Sequence, residues 1–131
     1  MSRRELREHI FRLLFRAEFF PQEEMDEQGQ LYVMHLAEPD GVDAEYITEK
    51  VQHILKKLQE LDERINAAAT GWRTGRMGKV DLTIIRLALF EMLYDDDVPT
   101  GVAINEAVEL AKRYGSDESP SFVNGVLARL A

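Results

Sequence analysis

The segment from Val80 to Tyr94, VDLTIIRLALFEMLY, constrains this chain more than any other. At helical spacing its apolar residues, from Val80 and Leu82 through Ile84, Ile85, Leu87, Ala88, Leu89 and Phe90 to Met92 and Leu93, leave almost no polar face. A helix that is apolar all round belongs at the centre of a fold, covered by other elements. The remaining chain must therefore supply amphipathic partners to wrap it. Arg86 interrupts the run, so its cation must be paired or reach a surface.

The partners are legible on both sides. C-terminally, Pro99 presets a helix entry. Val102, Ile104, Ala107, Val108, Ala111 and Tyr114 follow at helical spacing, with Glu106, Glu109, Lys112 and Arg113 opposite. Gly115 is predicted to close that helix as a left-handed cap. Ser116 to Ser119 form a turn, and Pro120 reopens a helix carrying Phe122, Val123, Val126, Leu127 and Leu130. Asn105, Asn124 and Gly125 sit inside these apolar runs. A mid-helix Gly costs about 1 kcal/mol relative to Ala, which predicts close packing at Gly125 and Asn amides bonded to neighbouring backbone.

At the other end, Ser2 and Glu5 make a capping box for a helix from Arg3 to about Glu18. Leu6, Ile10, Leu13, Leu14 and Ala17 form one apolar stripe, and Phe11, Phe15 and Phe19 a second at i, i+4. Arg3, Arg4, Arg7, Arg12 and Arg16 share this helix with Glu5 and Glu8. Mixed charges of this kind ordinarily solvate a helix face, although guanidinium groups also suit phosphate. Pro21 opens a second helix whose apolar half is Leu31, Val33, Met34, Leu36 and Ala37, followed by a turn at Glu38–Gly41. Asp43 is predicted to cap a long helical stretch from Ala44 to Ala69, and periodicity leaves open a break near Leu61–Asp62. The Gly-rich connector from Thr70 to Gly78 lacks the spacing of a phosphate loop. Its Trp72 is expected to anchor the core.

No strand pattern appears, so the fold class is all-α, in one domain spanning residues 1–131. With no cysteine among 131 residues, disulfides, Cys-ligated zinc and thiol nucleophiles are excluded. His9, His35 and His53 are isolated, and Asp95, Asp96 and Asp97 lack calcium-loop spacing, so no metal or cofactor is expected. No nucleophile–base set is grouped, which argues against an enzyme. No apolar run approaches the ~20 residues of a membrane span, and MSRRELREHI lacks a signal core; the expected place is the cytoplasm. Sixteen Lys and Arg against 24 Asp and Glu give a net charge of −8. Any contact with nucleic acid must come from a local basic patch working against that field.

AINEAVELAK followed by FVNGVL, with the lead-in Asp97-Val98-Pro99 and the stop at Gly115, resembles the signature of the NusB family of bacterial transcription antitermination factors. KVDLTIIRLALFEM is similar to that family's central helix, and Trp72 with Arg76 to the residues before it. The resemblance implies about seven helices in two small packed bundles, with the first helix and the C-terminal stretch on one surface. It further implies an RNA-binding adaptor that pairs with ribosomal protein NusE. The pair holds single-stranded boxA RNA within an antitermination complex on RNA polymerase, favouring full-length rRNA. By that resemblance Arg3, Arg4 and Arg7 contact RNA in a run interrupted by Glu5. Arg86 joins them, and Phe122 offers a face to an unstacked base, its alternative being a core position. Phe15 and Asp81 contact the protein partner. A second copy of the chain is a further candidate partner through the Phe11, Phe15 and Phe19 row. The competing reading is a helical protein-interaction module without RNA contact.

Overall fold

The computed structural model describes residues Met1–Ala131 as helices and turns only. Seven α-helices follow in order: α1 (Arg3–Phe15), α2 (Met25–Val33), α3 (Val42–Lys56), α4 (Leu58–Ala68), α5 (Lys79–Tyr94), α6 (Thr100–Tyr114) and α7 (Ser119–Leu130). The all-α class and the helix number match expectation. The chain divides into two compact units, Met1–Lys56 and Lys57–Ala131. No helix is long and apolar enough to cross a membrane.

In the first unit, α3 packs against α1 and α2. The Ser2 hydroxyl accepts the Glu5 N–H at 3.1 Å, completing the predicted capping box. Ile10, Leu13 and Leu14 are buried on the expected stripe. The aromatic row runs outward, from buried Phe11 through half-buried Phe15 to Phe19, which is 59% exposed. The second helix departs from expectation. Gln22–Glu24 is a 3₁₀ turn, and α2 buries Met25 and Gly29 while Leu31, Met34 and Ala37 stay exposed. The face of α2 that carries Met25 and Gly29 is the one turned to its neighbours. A Cβ on Gly29 would lie 3.6 Å from Thr48 Cγ2 and 3.9 Å from Leu13 Cδ2, so the helix lies close to both neighbours on its glycine side.

The predicted stretch from Ala44 to Ala69 is two helices, and the break falls at Lys57 rather than near Leu61–Asp62. Lys57 leaves helical geometry at φ −106°, ψ 2°. Asp43 does not cap. It lies in the first turn of a helix that begins at Val42, and accepts the Met1 ammonium at 2.9 Å. That bond raises the pKa of the terminal amine.

In the second unit, α4, α6 and α7 pack on α5. Leu82, Ile84, Ile85, Leu87, Ala88, Leu89 and Phe90 are all buried, as the apolar run requires. Helix α6 meets its neighbours with small residues, burying Ala103, Ala107, Leu110 and Ala111. Val102 of the expected stripe is exposed; the alanines let the helices approach more closely than a valine ridge would.

Three expectations about this unit are corrected. Asn105, Asn124 and Gly125 are exposed, so the amides are solvated. Nothing lies within 4 Å of a Cβ built on Gly125, so close packing is not its reason. Gly115 is extended (φ −95°, ψ −170°) rather than left-handed. Its reason is steric: a Cβ would stand 2.5 Å from Ser119 Cβ and 2.9 Å from the Ala111 carbonyl. Ser119 Oγ meanwhile accepts the Ser116 N–H at 3.0 Å, pinning the turn.

The two glycines therefore differ in sign. Gly125→Ala is expected to stabilise by about 0.5–1 kcal/mol, the helix-interior difference between the residues. Gly115→Ala is expected to destabilise by about 2 kcal/mol, because backbone and a packed serine must move. Urea unfolding of both variants checks the pair; equal shifts in one direction would contradict it.

Candidate functional site

Arg3 and Arg4 stand exposed in the first turn of α1, held in helical geometry by the Ser2 cap. The helix N-terminus adds its own positive end to their charge. Arg7, one turn on, is only 8% exposed. Arg12 is exposed, whereas Arg16 serves the fold: its Nη1 donates to Gln28 Oε1 at 2.9 Å and its guanidinium lies 5.2 Å from the Tyr32 ring centroid. His9 Nδ1 is 2.7 Å from the Tyr32 hydroxyl. Burial, and then the nearby Arg12, hold the His9 pKa below its ordinary value. Phe15 sits between Phe11, stacked at 6.0 Å, and Phe19, edge-on at 5.2 Å.

Arg86 is paired, the first of its two sequence alternatives. Its Nε donates to Asp62 Oδ1 at 2.8 Å and its Nη2 to Oδ2 at 2.6 Å, a two-point fork between α5 and α4. The two side chains are 14% and 27% exposed. Sequence reasoning missed Asp62. Its one signal was an acid beside Leu61, at the edge of the apolar stripe formed by Leu58, Leu61 and Ile65.

Three separate sequence segments converge on a cavity of about 280 Å³ within the second unit. The connector supplies Trp72 and Arg76, the first turn of α5 supplies Asp81, and the start of α7 supplies Glu118 and Phe122. Trp72 and Phe122, both half-buried, meet edge to face with centroids 6.4 Å apart and planes at 86°. Trp72 thus anchors Phe122 as well as the connector. Asp81 Oδ1 is buried and has no hydrogen-bond partner. No group of three His, Asp or Glu side chains is arranged to hold a metal ion.

The fold defines a small all-helical protein with exposed arginines on a capped helix start and an aromatic cavity beside an unsatisfied acid. Its family is established by comparison. The chain belongs to the NusB family, whose model matches residues 4–131. It is 52% identical over 131 residues to the transcription antitermination protein NusB of Agathobacter rectalis, with all of both chains covered. A crystal form of Thermotoga maritima NusB superposes with a TM-score of 0.85 at 35% identity, covering 100% of this chain and 91% of that one. The same fold recurs in a crystal structure of antitermination factors NusB and NusE with dsRNA, at a TM-score of 0.78 and 24% identity, covering 98% of this chain and 94% of that one.

The Arg86 fork yields a prediction. Arg86→Met leaves Asp62 without its cation and is expected to cost about 2–3 kcal/mol, below the ~3–5 kcal/mol of a fully buried pair because both side chains keep some solvent. Adding Asp62→Leu is expected to restore most of that loss. A double variant no more stable than Arg86→Met, in the same unfolding assay, would contradict the pairing.

Proposed function

We propose that this chain is a transcription antitermination factor, acting without catalysis in the cytoplasm as an RNA-binding adaptor. It pairs with ribosomal protein NusE, and the pair binds single-stranded boxA RNA within the antitermination complex on RNA polymerase to promote rRNA transcription. The observation that carries this reading is the full-length relationship to a protein named for transcription antitermination. A NusB of this fold crystallised with NusE and dsRNA supplies the two kinds of partner.

The chemistry divides among few residues. Arg3 and Arg4 neutralise phosphates, since both are exposed and neither is buried by its own fold. Arg7, one turn on, is the third arginine of this set and, at 8% exposed, offers RNA less of its guanidinium than the other two. Phe122 presents an aromatic face to an unstacked base; Arg86, its charge matched by the Asp62 fork, adds little net potential and meets RNA as a positioned hydrogen-bond donor on α5. Phe15, flanked by exposed Phe19, forms the apolar seat for the protein partner. With a net charge of −8, the chain alone attracts RNA poorly, and the partner supplies the missing basic surface.

Fluorescence anisotropy of labelled boxA RNA tests this directly. NusE is expected to tighten binding markedly. In the complex, Arg3→Ala with Arg4→Ala is expected to lower the magnitude of the slope of log K against log salt by about 1.4, at about 0.7 per phosphate contact on a single strand. If those arginines change nothing while NusE binding persists, the chain is a protein-interaction module without RNA contact there.

A further inference from the structure

Residues 64–80 are the longest stretch of this chain without an acid. They hold four cations, Arg64, Arg73, Arg76 and Lys79, in a protein of net charge −8. Arg64 lies 3.8 Å from Glu60. Arg73 and Arg76 are exposed and stand outside the ion pairs of the structure. The fold nevertheless holds these two together. The Arg76 N–H donates to the Arg73 carbonyl at 2.9 Å, closing a turn whose first and last Cα atoms stand within about 7 Å. That turn is fastened to α4 at two points. Asn66 Oδ1 accepts the Thr74 N–H at 2.9 Å, and Asn66 Nδ2 donates to Thr74 Oγ1 at 3.2 Å. Two like charges fixed side by side repel one another, and an anion laid across them would turn that cost into a gain.

The glycines beside them point the same way. Only Gly71 needs its conformational freedom, at φ 116°. A Cβ on Gly75 or Gly78 would meet nothing within 4 Å, so neither backbone nor packing calls for glycine there. Bare backbone between exposed cations lets another chain's backbone come close. The exposed residues from Thr70 to Lys79 are threonine, glycine and cations, with no apolar side chain to anchor a protein partner. Guanidinium forks match phosphate. Arg76 also lines the cavity that holds Phe122, so the turn and the ring open on the same surface of the second unit.

We propose that the Arg73–Arg76 turn grips two backbone phosphates of the RNA strand next to the base at Phe122, a contact that positions the strand and reads no sequence. The inference rests on the RNA-binding reading above and lengthens the run of RNA that the second unit holds. Asn66 sets the turn, and the open glycines keep its outer side clear.

The full chain in complex with NusE is titrated with labelled boxA RNA across a salt series. Arg73→Ala with Arg76→Ala is expected to lower the magnitude of the slope of log K against log salt by about 1.4, and to weaken binding about tenfold near physiological salt. Lys112→Ala with Arg113→Ala removes the same charge from the exposed face of α6 and is expected to leave the slope unchanged. Gly75→Glu sets an acid between the two arginines, where a side chain has room. It is expected to weaken binding about fivefold, the worth of roughly one phosphate contact, with no fall in the thermal midpoint of the free protein. Equal slope losses for the two pairs mark the general field of the protein and overturn the turn as a contact. If Arg73→Ala with Arg76→Ala changes nothing while Arg3→Ala with Arg4→Ala lowers the slope, the inference fails and the RNA-binding reading stands. No binding of RNA by the unaltered complex overturns both. Loss of NusE binding by the Arg73→Ala, Arg76→Ala variant, measured without RNA, assigns the turn to the protein partner, and the inference fails.

Discussion

Helix α5 is apolar on nearly every side, and water does not tolerate such a helix uncovered. Its burial is the constraint from which the second unit follows. At about 25 cal/mol per Å² of apolar surface removed from water, each fully covered Leu or Ile contributes about 1.5–3 kcal/mol. Ile84, Ile85, Leu87, Ala88 and Leu89 are all covered. The alanine faces of α6 and the valine and leucine face of α7 are shaped to close on that surface. Arg86 fits into the run only because α4 brings Asp62 to it in a two-point fork. The pair converts what would be a prohibitive cation into a fixed joint between two helices.

Much of this was legible in the sequence because it depends on periodicity. The central helix, the Ser2–Glu5 cap, the Pro99 and Pro120 entries and the absence of strands are local patterns, and the structure keeps them. What failed depends on three-dimensional neighbours. Gly115 looked like a left-handed cap, but the real constraint is Ser119 folding back onto it. Gly125 looked like a packing site, but that face of α7 meets nothing. In α6 the buried face is set by alanines, whose small size matters only once α5 and α7 lie against them. The split at Lys57 is a backbone event within an unbroken apolar period, so no pattern announced it.

The candidate site divides in the same way. Exposed Arg3 and Arg4 follow from a capped helix start, which any reader of the first five residues can find. The cavity does not, because Trp72, Asp81 and Phe122 come from three segments that only the fold brings together. The unsatisfied Asp81 oxygen is invisible in sequence, where an acid in the first turn of a helix looks like an ordinary partner for the dipole.

The central claim is that α5 is the element on which α4, α6 and α7 close. Native-state amide hydrogen exchange tests it most directly. Buried α5 amides, Ile84 to Leu89, are predicted to exchange only through global unfolding of the second unit, with the highest opening free energy in that unit. If those amides exchange by a lower-energy opening while α6 and α7 stay protected, the helices hold together without α5 and the claim is wrong.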